Sequence, residues 1–232
     1  MKIVSWNANC KFREKYKEIE KLEADIYIIQ ECENPVICKD KEYNEYVKNG
    51  FWIGGLNYKG LMIFSPNPEI LLEKLDWESD KFRFFLPVKV NNSFILVGSW
   101  ACHPYVQEFY DFIQASLAYL GPQVIIMGDF NSNMVFDKDN IKSGKTHTKV
   151  LEILKSIGLE DIYHYKTGDK QGQEKVPTFY MYRHLDKPFH IDHCFANPEI
   201  IKSISIKARW QWLAFSDHQP LEITVDEKKL KL

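Results

Sequence analysis

The sequence contains no run approaching the roughly 18 apolar residues that a membrane-spanning helix needs. Its opening residues, Met1 to Asn7, go straight into a strand-like run and lack the apolar core of a secretory signal. Cysteine is scarce: Cys10, Cys32, Cys38, Cys102 and Cys194 are odd in number, irregularly spaced and without a CxxC pair. That pattern predicts reduced thiols and argues against a disulfide framework or a zinc site. Neither charge sign is in excess, with 30 Lys and Arg against 32 Asp and Glu and a formal net charge of −2. No global positive field is therefore available to hold nucleic acid or membrane, although a local basic cleft remains compatible. There is no internal repeat, low-complexity tract or linker rich in Pro, Gly or Ser, so residues 1–232 are expected to form one domain. Together these absences predict a soluble cytoplasmic protein.

What the chain does have is bulky core material: 45% hydrophobic residues, with 15 Phe, 12 Tyr and 6 Trp. Disorder, collagen and coiled coil are excluded by this composition. A chain of this length can bury roughly three quarters of its unfolded surface without a metal or disulfide.

Strands are expected at Ile3–Ala8, Asp25–Gln30, Phe51–Gly55, Leu61–Ser65, Phe82–Val90, Phe94–Ala101 and Val124–Gly128. Three more are expected late, near Thr178–Tyr182, His190–Ala196 and Leu221–Val225. Helical spacing appears in Arg13–Leu22, Tyr105–Leu120 and Thr146–Ile157, the last closed by Gly158. Helices bracket a run of strands. That order suits two packed sheets with helices outside better than one doubly wound sheet.

Several apolar runs deliver a polar residue at or just past their C-terminal ends: Asn7, Glu31, Asp129 with Asn131, Asp192, and Asp217 with His218. If these ends converge, Glu31, Asp129, Asp192 and Asp217 share a site with two carboxamides and an imidazole. Such carboxylates need a cation, a shared proton or a basic partner. An oxygen-rich donor set suits Mg²⁺ or Mn²⁺ rather than zinc. The remaining carboxylates are then free for proton chemistry and for orienting histidine, as metal-assisted phosphate ester hydrolysis requires.

Five segments carry a resemblance: SWNAN (Ser5–Asn9), IIQECE (Ile28–Glu33), IMGDFNSN (Ile126–Asn133), HIDHCF (His190–Phe195) and FSDHQPL (Phe215–Leu221). In order and spacing they resemble the endonuclease/exonuclease/phosphatase superfamily, which includes exonuclease III-like nucleases and DNase I. The resemblance implies a four-layer α/β sandwich, two packed mixed β-sheets flanked by helices, and Mg²⁺-dependent cleavage of a phosphate ester.

Carried over by position, the resemblance implies that Glu31 is the principal metal ligand, helped by Asn7 and Asp217. It implies that Asp129 orients or deprotonates the attacking water and that Asn131 is a phosphate and transition-state partner. It also implies that His218 lies on the scissile phosphate and that Asp192 orients it. A histidinium held by Asp192 would neutralise phosphate charge, and Asn131 would donate where charge builds. Many relatives carry a phosphate-contacting Tyr or His at the end of the strand before the long middle helix. Here the segment reads Gly98-Ser99-Trp100-Ala101-Cys102-His103-Pro104-Tyr105. His103 is the choice, with Trp100 and Tyr105 as alternatives. Among the remaining histidines, alternation puts His190 on the Asp192 side and His193 away from it, while His147 precedes a helix as a possible cap.

Thr178–Arg183 resembles an aromatic segment that exonuclease III-like nucleases place beside the cleft. Tyr180 and Trp100 could meet bases and Arg183 a phosphate. The reading favours a nuclease acting on DNA or other nucleic acid. A phosphatase or phosphodiesterase of a small or lipid-linked ester, of inositol phosphate or sphingomyelin type, is the alternative. A non-catalytic binding module is disfavoured because the candidate set is complete.

Overall fold

Alternation along the strands decides which side chains meet which layer, because successive strand residues point to opposite faces. The computed structural model describes residues 1–77 and 81–230. In the first half of the chain the elements are β1 (Lys2–Asn7), α1 (Tyr16–Glu20), β2 (Ile26–Cys32), α2 (Lys41–Val47), β3 (Gly50–Leu56) and β4 (Lys59–Phe64). Next come β5 (Leu72–Lys74), β6 (Phe85–Val90), β7 (Phe94–Trp100), α3 (Val106–Ser116), β8 (Val124–Asp129), α4 (Asp137–Asn140) and α5 (His147–Ser156). The last part holds β9 (Glu160–Asp161), α6 (Ile162–Thr167), β10 (Phe179–Tyr180), β11 (Pro188–Phe189), β12 (Asp192–Ala196), β13 (Ile201–Ile206), α7 (Arg209–Trp212) and β14 (Leu221–Val225).

Two six-stranded sheets result, ordered β13-β14-β1-β2-β4-β3 and β5-β6-β7-β8-β12-β9. Each is mixed, with one parallel pair (β1 with β2, β7 with β8) among antiparallel neighbours. Between the sheets, Ile3, Ile28, Ile63 and Ile223 of one pack with Leu96, Ile125, Met127 and Cys194 of the other. Each such side chain contributes about 1.5–3 kcal/mol by leaving water. The opposite parity faces outward: Val4, Trp6, Tyr27 and Phe64 meet Tyr16, Ile19 and Tyr43 of α1 and α2. On the second sheet Val97, Ile126 and Phe195 meet Phe109 and Phe112 of α3 and Leu154 of α5. The layers run helix, sheet, sheet, helix.

Expected elements are shortened where local polar contacts intervene. Arg13–Leu22 is not one helix: Phe12–Glu14 form a 3-10 turn before α1. Buried Glu33 accepts the Phe12 and Arg13 N–H groups at 2.8 and 2.9 Å, which ties that turn to β2. Thr178–Tyr182 is a strand only at Phe179–Tyr180; Tyr182 then adopts φ 56° and the chain turns. All five cysteines are free, with Cys32 and Cys194 buried and the rest half-buried. No helix among the described residues is long and apolar enough to cross a membrane.

Candidate active site

Three strands place an inward-facing residue at one end of the sandwich, the last of β1 and of β8 and the first of β12, which runs antiparallel to β8. On β1 the inward face carries Ile3, Ser5 and Asn7; on β8 it carries Ile125, Met127 and Asp129; on β12 it carries Ala196, Cys194 and Asp192. Gly128 is required beside Asp129, because a Cβ there would lie 1.9 Å from the Ser99 carbonyl oxygen on β7. Plain alternation would send Glu31 to the outer face. A bulge between Gln30 and Cys32, with Glu31 at φ 55°, re-aims it. Asn131 also adopts a left-handed φ of 47°, which asparagine tolerates better than most residues.

The side chains meet through hydrogen bonds. Asn7 Nδ2 donates to Asp129 Oδ2 at 2.9 Å and to Glu31 Oε1 at 3.4 Å. Asn131 donates to Asp129 twice, from its backbone N–H at 2.9 Å and from Nδ2 at 3.3 Å. Asp217 Oδ1 accepts from Asn9 Nδ2 at 3.0 Å, and the Asn9 N–H donates to Asn7 Oδ1 at 2.9 Å. His218 stands 2.9 Å by Nδ1 from Asp192 Oδ2 and 3.8 Å by Nε2 from Asp129 Oδ2. Thr178 Oγ1 accepts the Ile191 and Asp192 N–H groups at 3.0 Å each, and Ser216 Oγ accepts the His218 N–H at 3.1 Å. These contacts fix the backbone behind the acid and the imidazole.

Burial sets the electrostatics. Asp129 is buried, and desolvation pushes its carboxyl up to about 7 against the opposing charge of His218, with Asp192 adding repulsion. Burial disfavours the His218 imidazolium, yet the carboxylates of Asp192 and Asp129 outweigh it and raise the ring to about 10. The site thus pairs a proton acceptor poised near neutrality with a persistent cation.

Two donor groups bear on metal binding. Asp129, Asp192 and His218 each place one atom within 4.8 Å of the others, close enough to hold an ion. There, however, His218 Nδ1 is already engaged by Asp192. The other flank offers the carboxylates of Glu31 and Asp217, toward which Asn7 and Asn9 turn their Nδ2 groups, with the Cys10 thiol 3.7 Å from Glu31 as the neighbouring sulfur. Hard oxygen donors of this kind fit Mg²⁺ or Mn²⁺.

The structure brings together Asn7, Glu31, Asp129, Asn131, Asp192, Asp217 and His218. Other expected residues stand differently. Trp100 is 6% exposed and packs on Phe84 with ring centroids 4.6 Å apart, in register with Asp129. Tyr180 is 3% exposed, whereas Tyr182 in the turn is 77% exposed. Arg183 lies at the rim and donates to the Ala214 and Phe215 carbonyls at 3.4 Å each. His103 is exposed and shares with Tyr105, Asn131, Phe179, Phe189 and Ile191 the wall of a cavity of about 420 Å³ beside the site. Phe179 also packs against the His218 ring, tilted by 42° with centroids 4.6 Å apart.

The alternation assignment holds for His193, which stacks with Phe195 on the face away from Asp192, but not for His190. Regular strand geometry begins only at Asp192, so His190 joins His193 in one buried cluster, with ring centroids 5.2 Å apart. Thr146, not His147, caps α5; His147 is buried on Ser132 Oγ at 3.0 Å. Sequence reasoning missed Lys59, whose ammonium lies 2.9 Å from Glu31 Oε2, and Asn9, whose amide holds Asp217. Asn9 sits inside the SWNAN segment and could have been found; Lys59 carried no signal.

No known family model and no curated protein matches the chain. Solved structures do. A 3′-5′ exonuclease from Neisseria meningitidis superposes with a TM-score of 0.68 at 18% identity, covering 97% of this chain and 100% of the other. A Neisseria 3′ phosphatase bound to a product DNA hairpin gives 0.69 at 18% identity, covering 97% and 99%. An AP endonuclease from Archaeoglobus fulgidus gives 0.65 at 18% identity, again covering 97% and 99%. The architecture is a two-sheet α/β sandwich. It is the endonuclease/exonuclease/phosphatase, or DNase I-like, fold.

Proposed function

We propose that this chain is a cytoplasmic, single-domain, divalent-metal-dependent phosphodiesterase that hydrolyses DNA. The observation that carries the reading is Asp129, held by Asn7 and Asn131 and facing an imidazole that Asp192 anchors.

In this reading Asp129 accepts the proton of the attacking water, and its raised pKa of about 7 matches that task. Asn131 Nδ2, which donates to the Ala101 carbonyl at 3.1 Å and to Asp129 at 3.3 Å, exchanges the longer of these bonds for an oxygen on which negative charge develops, and the His218 imidazolium neutralises the phosphate from the other side. Asp192 keeps His218 charged and in one orientation. Glu31, with Asn7 and Asp217, would hold Mg²⁺, or Mn²⁺ in its place. When bound, that ion supplies charge neutralisation and orients a phosphate oxygen.

Support for a nucleotide substrate comes from the cavity of about 420 Å³ beside Asn131, whose walls include Phe179, Phe189 and Ile191. An apolar pocket next to a phosphate site suits a sugar or base. The neighbours titled an exonuclease and an AP endonuclease support the same choice, as does the DNA hairpin bound by a third neighbour. A second reading, a phosphatase of a terminal phosphate ester, is favoured by the neighbour titled a 3′ phosphatase.

The test is a substrate panel with Mg²⁺, Mn²⁺ or EDTA: plasmid, abasic duplex, a 3′-phosphorylated hairpin and inositol phosphates. Metal-dependent cleavage of either duplex substrate supports the reading. Release of phosphate from inositol phosphates alone would replace it.

A further inference from the structure

Lys59 opens β4 directly across from the bulge that carries Glu31, since Gly60 pairs with Cys32 and Leu61 with Gln30. Its ammonium lies 2.9 Å from Glu31 Oε2 and 5.3 Å above the Trp100 ring, and its side chain is 35% exposed. Trp100 is fixed on Phe84 and in register with Asp129, so the indole forms a rigid floor between the Glu31 and Asp129 sides of the cleft. An indole face cannot neutralise phosphate, but it does hold a cation above it.

Among the described residues, two other long cations near this cleft donate to backbone carbonyls. Lys15 Nζ donates to the Ala8 and Asn9 carbonyls at 2.6 and 3.3 Å, and Arg183 is spent on the Ala214 and Phe215 carbonyls. Lys59 faces a carboxylate that the proposed function assigns to a divalent cation. Two positive charges cannot share Oε2 without strong repulsion. Once Glu31 is taken, the flexible lysine stem can pivot over Trp100, and the nearest uncompensated anion is a phosphate lying between Glu31 and His218.

We propose that Lys59 is a phosphate-contacting residue of this site, standing on Trp100 and opposite His218, and that Glu31 holds it in reserve until a metal displaces it. The inference rests on the proposed function for the place of the metal and the phosphate. It assigns the phosphate contact to Lys59 rather than to His103, Trp100 or Tyr105.

The test uses the whole chain with Lys59→Met, which keeps the stem on Trp100, and Lys59→Arg, which keeps the charge. Lys59→Gln serves if the Met variant does not fold. Inorganic phosphate is titrated into Ca²⁺-saturated protein and followed by ³¹P line broadening; Mn²⁺ affinity is read separately by electron paramagnetic resonance. Loss of one charge-assisted hydrogen bond predicts about tenfold weaker phosphate binding in Lys59→Met, with most of it restored in Lys59→Arg. Mn²⁺ affinity should hold or tighten, because a competitor for Glu31 has gone. Phosphate affinity equal in wild type and Lys59→Met overturns the assignment and leaves Lys59 a mere counter-ion of Glu31. Cleavage of duplex DNA by the wild type is scored independently. DNA left uncut while phosphate binding depends on Lys59 sinks the DNA reading alone; DNA cut with no Lys59 effect sinks this inference alone.

Discussion

His218 turns Nδ1 toward Asp192 at 2.9 Å and Nε2 toward Asp129 at 3.8 Å, so one buried imidazole, 5% exposed, stands between two carboxylates. That placement explains why the ring stays charged although burial opposes it, and why it can serve phosphate only while charged.

Asp192→Asn removes the nearer of these charges. The pKa of His218, raised to about 10, should fall, and the alkaline limb of the pH–rate profile should move to lower pH with it. The same interaction stabilises the fold fully below the unfolded imidazole value of about 6.5 and is lost as pH rises toward 10. Metal affinity should change little. An alkaline limb that stays in place while metal affinity collapses would make Asp192 a ligand instead.

Glu31→Gln should weaken Mn²⁺ binding by at least about tenfold, since a hard cation loses its principal anionic oxygen. Isothermal titration calorimetry reads this directly. Undiminished binding would move the metal to the Asp129, Asp192 and His218 group.

Part of this site is legible in the sequence for a geometric reason. Asn7 and Asp129 end apolar runs whose alternation already fixes the face on which they emerge, whereas Asp192, expected at the end of such a run, opens β12 instead. Glu31 reaches the same cleft only through a bulge, which residue types do not announce. Lys59 belongs to a strand 28 positions later and meets Glu31 through sheet pairing alone. The fold shows the same division. Strands with apolar runs on buried faces, such as β8 and β14, are readable. The edge strand β13, Ile-Lys-Ser-Ile-Ser-Ile, is half exposed and polar enough to pass for a loop. His190 shows where alternation misleads: it holds inside a regular strand, as at His193, and His190 lies before one.

The buried histidine cluster should govern stability. Burial works against the charge on Asp161, yet hydrogen bonds from His164 and His193 keep it well below the usual carboxylate range. Asp161→Asn should cost about 3–5 kcal/mol in urea unfolding, the range for breaking a buried ion pair. The cluster also gives stability a two-sided pH dependence. Burial lowers His147 to about 3 and His190 to about 4, so their contribution is present above pH 6.5 and is lost as pH falls through those values. Against burial, Asp161 and Glu174 raise His164 to about 9, so its contribution is present below pH 6.5 and is lost as pH rises through 9. A series of urea midpoints that rises monotonically from pH 4 to 9 would contradict this.

Two neighbouring tyrosines should separate binding from folding. Tyr182 is exposed within the left-handed turn, and Tyr182→Ala should weaken single-strand binding by about 1–3 kcal/mol, the worth of one stacked base, without changing stability. Tyr180→Ala should do the reverse and lower the urea midpoint, because Tyr180 is buried. Fluorescence anisotropy with a labelled oligonucleotide, beside urea melts, distinguishes them.

The central claim is that Asp129 takes the proton of the attacking water in a metal-dependent phosphodiester hydrolysis. Its most direct test is single-turnover cleavage of an end-labelled abasic duplex in Mg²⁺ by wild type and by Asp129→Asn. Wild type should cut only with metal, at a rate that falls below about pH 7, where Asp129 becomes protonated. A folded Asp129→Asn protein should cleave at least about a hundredfold more slowly. Wild-type rates in that variant, with the acid limb unchanged, would contradict the claim.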